Sequence, residues 1–314
     1  MSSEIVVQTN GLTKVYGDNT AVNKLTLRID SGDIFGFLGP NGAGKTTTIL
    51  MLLGLTEPTS GTARVCGFDS TKEPLKVKRV TGYIPERIGF YEELTAQYNL
   101  MYAARLNGLT DKAAVEKIDK ALKTVGLADR AESKVATYSR GMKQRLALAD
   151  ILVKMPKVAI LDEPTSGIDP KGITEILALI KTIAKEHGMS IIISSHQLPQ
   201  VQKICNRVGI MSKGELVVEG PVEKLMKDTA SRGRFIVEVQ LGQITPELIK
   251  TLKQVNGVIE VERSGDVLIV TCTEDLRPKI AKAIVDAGGS LIQMKVQSQA
   301  LEDVYMKYFS EGTK

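Results

Sequence analysis

The stretch Ile34-Phe35-Gly36-Phe37-Leu38-Gly39-Pro40-Asn41-Gly42-Ala43-Gly44-Lys45-Thr46-Thr47 decides the fold. An apolar run suited to a buried strand gives way to a glycine-rich loop, and Lys45-Thr46 then open a helical pattern. Glycine, four residues, then Gly-Lys-Thr is the spacing of a phosphate-binding loop, and the flanking strand and helix are the setting it requires. The chemistry dictates the residue types. Gly39, Gly42 and Gly44 let the backbone curl so that successive N–H groups of the loop, which includes Asn41 and Ala43, point at one anion. The helix N-terminus behind them adds partial positive charge. Lys45 supplies a point charge at the outer phosphates, and the Thr46 hydroxyl is placed to ligate Mg²⁺. The stretch implies a bound nucleoside triphosphate.

At 314 residues the chain has the length of about two domains, each able to bury its own core. Hydrophobic residues make up 43% and charged residues 25%, the balance of a globular protein. Trp is absent and aromatics amount to 4%, so the core must be mostly aliphatic. The net charge of +5 is mild and the Lys and Arg are spread out, which argues against a nucleic-acid partner. Cys66, Cys205 and Cys272 are odd in number and far apart, with neither metal-ligand spacing nor a disulfide framework, as in a reducing compartment. Met1–Asn10 has no basic region followed by an apolar core, and no apolar run approaches the roughly twenty residues that span a bilayer. Any work at a membrane is therefore expected from the cytoplasmic side, through a partner.

Outward from the phosphate loop, Ile5–Gln8 and Leu25–Ile29 alternate as half-buried strands do, with Val15-Tyr16-Gly17 as a turn-like stretch between them. Helices are expected over Thr46–Leu55, Leu94–Asn107, Asp111–Val125 and from Ser139, a good N-cap, toward Met155. Val158–Leu161 and Ser190–Ser194 are apolar runs suited to parallel strands buried on both faces. A helix face at Ile173, Ile176, Leu177, Ile180 and Ile183 lies between them, and Val208–Met211 with Glu215–Val218 form a hairpin. Strands alternating with helices indicate an α/β core with a parallel sheet. Ligands of such sheets sit beyond the carboxyl ends of strands, where the phosphate loop, Asp162-Glu163 and His196 all fall. After Pro221 the strands Phe235–Leu241, Val258–Val261, Val267–Cys272 and Ser290–Val296, with helices Pro246–Val255 and Leu276–Ala287, give the β-α-β-β-α-β order of a ferredoxin-like domain. A last helix carries a stripe at Leu301, Val304, Tyr305, Tyr308 and Phe309, packing on its own domain or offering a protein-binding face. The domains are expected at 1–228 and 234–314.

An Asp-Glu pair closing a buried strand downstream of a phosphate loop is suited to hydrolysis. Asp162 is placed to hold Mg²⁺, directly or through water, and Glu163 to polarise an attacking water, the turn at the strand end letting both face the site.

Together with Tyr138-Ser139-Arg140-Gly141-Met142-Lys143-Gln144-Arg145-Leu146, these motifs make about Ile5–Leu225 resemble the ATP-binding subunits of ABC transporters. The resemblance implies a P-loop ATPase core of a parallel sheet, an antiparallel β subdomain and a helical subdomain, with the small α+β domain appended. It implies ATP and Mg²⁺ as ligands and ATP hydrolysis as the activity. Tyr16 matches the aromatic that stacks on adenine, and Gly42, Gly44, Lys45, Thr46 and Thr47 the phosphate and Mg²⁺ loop. Asp162 matches the metal-binding acid, Glu163 the catalytic base and His196 the switch histidine that senses the γ-phosphate. Ser139 and Gly141 match the signature that reaches ATP held by the other subunit of a head-to-tail dimer, and Asp169 the loop that faces the opposite site.

Two positions depart from the family pattern. Arg140 stands where most members have glycine, and either adds attraction for phosphate or points outward. Glu86 stands where the family has a glutamine that contacts Mg²⁺ and links to the membrane subunit; a carboxylate keeps the oxygen-ligand role. The resemblance implies an integral-membrane permease as partner, docked near Gly89–Thr95, and a second ATPase subunit, either another copy or a paralogue. It places the protein on the inner face of the cell membrane. The C-terminal extension is similar to that of exporter subunits. The alternative is an ABC-type ATPase without a permease, associated with translation or DNA. Residues 234–314 are also readable as a regulatory ligand-binding or dimerisation module.

Overall fold

The computed structural model of the protein describes residues 4–230 and 235–296. The terminal helix expected around Leu301–Phe309 lies outside them. The chain divides into two compact units, Met1–Val222 and Glu223–Lys314.

The first unit begins with β1 (Ile5–Tyr16), β2 (Asn19–Asp30), β3 (Ile34–Leu38) and α1 (Lys45–Leu52). Next come β4 (Ser60–Val65), β5 (Phe68–Asp69), α2 (Pro74–Val80) and β6 (Thr81–Ile84). Three longer helices follow, α3 (Ala96–Leu106), α4 (Asp111–Thr124) and α5 (Arg140–Lys154). The unit closes with β7 (Val158–Asp162), α6 (Pro170–His187), β8 (Ser190–Ser195), α7 (Leu198–Ile204), β9 (Arg207–Ser212) and β10 (Glu215–Pro221).

The central sheet has the order β10-β9-β3-β8-β7-β6. All neighbours pair in parallel except the edge strand β10, which returns antiparallel from β9. Every residue of β7 and β8 is buried, because helices cover both faces of such a sheet. The register sets Leu38 against Ser195 and Asp162 against Ser194. Three strand ends are thereby level, so the loops that follow them open at one edge.

β1, β2, β4 and β5 form a separate antiparallel sheet in the order β2-β1-β4-β5. The expected short strands at Ile5–Gln8 and Leu25–Ile29 are in fact one long hairpin, with Tyr16 ending β1 opposite Asn19. The ladder shifts register between Thr9 and Leu12, again before Lys14 and again before Val15. Such bulges break the period-2 alternation midway, which is why the sequence shows only the two ends of the hairpin. Leu12, Leu25 and Ile29 of this sheet share one core with Ile49, Met51 and Leu52 of α1 and Phe35, Ile160 and Ile192 of the central sheet. Full burial of such side chains contributes about 1.5–3 kcal/mol each, so α1 and the loop before it are anchored from two sheets.

α3, α4 and α5 pack on one another. α4 buries Ala114, Ile118, Ala121 and Leu122, the stripe its period specifies. The short elements α2, β6 and α7 carry too few turns or alternations to stand out in the sequence.

The second unit contains nearly all of α8 (Val222–Ala230), then β11 (Phe235–Leu241), α9 (Pro246–Lys253), β12 (Val258–Ser264), β13 (Val267–Cys272), α10 (Arg277–Asp286) and β14 (Leu291–Val296). Its sheet is antiparallel in the order β12-β13-β11-β14. Val237, Val239, Leu268 and Val270 of that sheet share a core with Leu248 and Leu252 of α9 and Ile280 and Ile284 of α10.

Candidate active site

Among the described residues, five helices begin with a side-chain cap, from Thr95, Thr110, Ser139, Asp169 and Thr245. α1 does not. Its N-cap is Gly44, with φ 102 and no side chain to bond the first turn, so the open N–H groups are left for a ligand. Only glycine fits there, since a Cβ would also stand 2.4 Å from the Ala21 carbonyl oxygen. Lys45 curls back, its Nζ donating to the carbonyls of Gly39 (2.7 Å) and Pro40 (3.1 Å). Burial pushes its pKa below the ordinary lysine value, against the opposing pull of Glu163, Asp162 and Glu86. A desolvated ammonium held by two neutral carbonyls gains when an oxyanion arrives.

β7 ends in Asp162, 4% exposed. Thr46 Oγ1 donates to its Oδ2 at 3.1 Å, and the Ser194 hydroxyl on β8 donates to its Oδ1. The next residue, Glu163, has φ 48, a left-handed conformation that costs a non-glycine residue about 1–3 kcal/mol. Successive residues on a strand point to opposite faces, and this turn is what brings both carboxylates to one cleft. The Glu163 N–H donates to the Ser194 carbonyl at 3.1 Å, which pins the turn to β8. Glu163 Oε1 lies 2.9 Å from His196 Nδ1, the carboxylate side chain being 10% exposed and the imidazole 45%.

Lys45, Thr46, Asp162, Glu163 and His196 line a cleft of about 640 Å³ with Tyr16, Asn41, Gly42, Gly44, Thr47 and Glu86. Gly39 and Ala43 belong to the loop without lining the cleft: the Gly39 carbonyl holds Lys45, and Ala43 is buried. Tyr16 stands at the hairpin end, 48% exposed, with Lys14 Nζ 4.9 Å from its ring centroid. Four further lining residues carried no sequence signal, namely Asn19, Thr20 and Ala21 of β2, and Lys213. Lys213 sits at the tip of the β9–β10 hairpin, where Gly214 N–H donates to the Ala43 carbonyl (3.1 Å) and its own carbonyl accepts from Asn23 N–H (2.8 Å). The hairpin thus bridges the phosphate loop and β2. Ser194, readable only as part of a strand, is the missed partner of Asp162.

Ser139, Gly141 and Asp169 do not line that cleft. They stand at the starts of α5 and α6. Ser139 Oγ accepts from Met142 N–H (3.3 Å), which leaves its own O–H to donate, and Asp169 Oδ2 accepts from Gly172 N–H (3.3 Å). The two starts touch: the Ile168 side chain reaches within 4.0 Å of the Cβ position of Gly141. Arg140 lies over Gly167, where a Cβ would be 2.7 Å from its Nη1, so the cation packs on its own chain's loop.

A phosphate cradle, a paired Asp-Glu strand end and a histidine just past the neighbouring strand define a P-loop nucleotide hydrolase. Residues 22–166 match the ABC transporter family. The bacitracin transport ATP-binding protein BcrA of Bacillus licheniformis is 38% identical over 98% of both chains. The linearmycin resistance ATP-binding protein LnrL of Bacillus subtilis (strain 168) is 35% identical over 96% of this chain and 97% of its own. A solved ATP-binding subunit of an ABC transporter, 30% identical, covers 73% of this chain and 95% of its own with a TM-score of 0.65. The chain belongs to the ABC transporter ATP-binding proteins, the ATP-hydrolysing subunits that drive transport.

Proposed function

We propose that this protein is the ATPase of an exporter, working at the cytoplasmic face of the membrane with a separate integral-membrane permease, and that each ATP site closes between two ATPase subunits. The observation that carries the reading is the division of the site residues. Lys45, Thr46, Asp162, Glu163 and His196 share one cleft, whereas Ser139, Gly141 and Asp169 stand outside it at the starts of α5 and α6. A second copy, or a paralogue, would bring those three groups to the open side of the cleft. The bacitracin and linearmycin named for the relatives support an antibiotic or a similar amphiphile as cargo. Among the described residues no helix is long and apolar enough to cross a membrane, so the pathway itself is assigned to the permease.

The triphosphate would lie on Gly39–Thr47, with Lys45 against the outer phosphates and adenine on the exposed Tyr16 ring. The oxygen donors Thr46, Asp162 and Glu86 suit Mg²⁺. Among the described residues no cluster of three or more acidic, His or Cys side chains is preformed for a metal, which fits an ion that arrives with the phosphates. The ion would supply charge neutralisation on the phosphate oxygens. Glu163 takes a proton from water as its oxygen attacks the γ-phosphorus, the bond to ADP breaks, and the proton passes from the carboxylate to solvent. His196 holds Glu163 in place through Oε1.

Purification of the tagged chain from mild detergent extracts tests this directly. Stoichiometric recovery of a multi-span membrane protein is expected. Recovery of ribosomes or DNA in its place would overturn the assignment.

A further inference from the structure

Among the described residues, two buried side-chain polar atoms lack a hydrogen-bond partner, Gln144 Nε2 and Glu163 Oε2. One is a donor and the other an acceptor, and both residues line a second cavity of about 310 Å³. Glu163 belongs to the walls of both this cavity and the nucleotide cleft, so the cavity backs onto the carboxylate from the signature side. Glu86, Arg87, Tyr138, Arg140, Lys143 and Ser166 complete the polar lining. Of the three lining cations, Lys143 is tied to Glu92 at 2.5 Å and Arg140 lies over Gly167, so other contacts engage these two, and Arg87 is the third.

Gln144 is 6% exposed, on the first turns of α5. A buried donor and a buried acceptor left unpaired each forgo the hydrogen bonds they held in water. A cavity of this size has room for several waters at about 30 Å³ each, and an ordered water needs two or more polar partners. The two orphan atoms are such partners. Glu163 Oε1 is already committed to His196, so only Oε2 is open to the cavity.

We propose that Gln144 is a positioning residue for Glu163. Through ordered water in this cavity, one molecule or two in line, its amide donates toward Glu163 Oε2 while His196 holds Oε1. The carboxylate is thereby fixed from both oxygens by groups on two different elements, α5 and the segment after β8. This rests on Glu163 being the base.

Two measurements on the full chain test it. A high-resolution crystal structure should show water bonded to the Gln144 amide and connected, directly or through one more water, to Glu163 Oε2. Gln144→Met keeps length and volume but removes the donor; its kcat should fall about tenfold, the scale of one hydrogen bond to a charged group. KM for ATP and the thermal midpoint should stay at the wild-type values. Gln144→Glu, which offers only acceptors, should fall at least as far. Absence of connecting water overturns the proposal, as does an unchanged kcat in Gln144→Met. A loss in which KM and thermal midpoint move together with kcat also overturns it, because that is the mark of a packing role. Should Glu163→Gln keep full hydrolysis, the base assignment fails while the water bridge stands. Inactive Glu163→Gln beside fully active Gln144→Met removes Gln144 alone.

Discussion

The nucleotide cleft and the paired starts of α5 and α6 are built on opposite principles. In the cleft, groups from six places in the chain converge. α1 is left uncapped, Lys45 is desolvated, and Glu163 holds a strained φ. At the α5 and α6 starts the backbone is capped: Ser139 and Asp169 cap their helices, and Arg140 and Ile168 lie against the neighbouring start. The first region is poised to gain from a ligand and the second is a finished surface. Strain and open N–H groups mark where a small molecule is to be gripped, while a rigid, satisfied surface suits docking against another protein.

Substitutions separate the two regions most sharply at the base. Glu163→Gln removes the proton acceptor and should lower turnover by about 10²–10⁴-fold. ATP binding should persist and an ATP-dependent dimer accumulate, measured by steady-state hydrolysis and light scattering. Wild-type turnover in this variant would remove Glu163 from the chemistry. Lys45→Ala should weaken ATP binding by about 10²-fold, the loss of a charge-assisted contact in a desolvated site; calorimetric titration of the monomer reads it directly. Ser139→Ala sharpens the comparison from the other side. Turnover should drop about tenfold for one lost donor to a phosphate, while the monomer binds ATP as before. Weakened monomer binding would place Ser139 in its own chain's site.

Tyr16→Ala should raise KM for ATP by about fivefold, near the lower end of base–aromatic stacking, with kcat unchanged. The smallest effect is expected from ending the chain after Ser231. Nucleotide affinity should stay within about twofold of the full chain, since short-range phosphate contacts set it; a larger loss would show that the C-terminal unit supports the site.

Much of the catalytic region is legible in the sequence because its motifs are local. Gly39–Thr47 specifies a loop and a helix start by backbone chemistry alone, and Val158–Asp162 announces a buried strand ending in a carboxylate. The α5 cap was visible at Ser139 for the same reason. The hairpin β1–β2 was only half visible, because bulges near Thr9 and Lys14 interrupt its alternation. Nothing local marks Lys213, Ser194 or Gln144 as a site residue, although Ser194 lies in a legible strand and Gln144 in the signature stretch.

By itself the sequence determined which chemistry is present: a phosphate cradle, a metal-suited acid, a base and a signature, each a short run whose spacing obeys local geometry. Tertiary structure alone decided which of them meet. Parallel pairing of β3, β8 and β7 brings Leu38, Asp162 and Ser195 to one level, although more than a hundred residues separate the phosphate loop from the other two. That register is set by burial on both faces of the sheet, a property of the packed whole. The same packing leaves Ser139, Gly141 and Asp169 outside the cleft, and it turns Arg140 onto Gly167 and Gln144 toward the cavity behind Glu163. Contacts of this kind depend on side chains from distant segments arriving together, and no run of neighbouring residues encodes them.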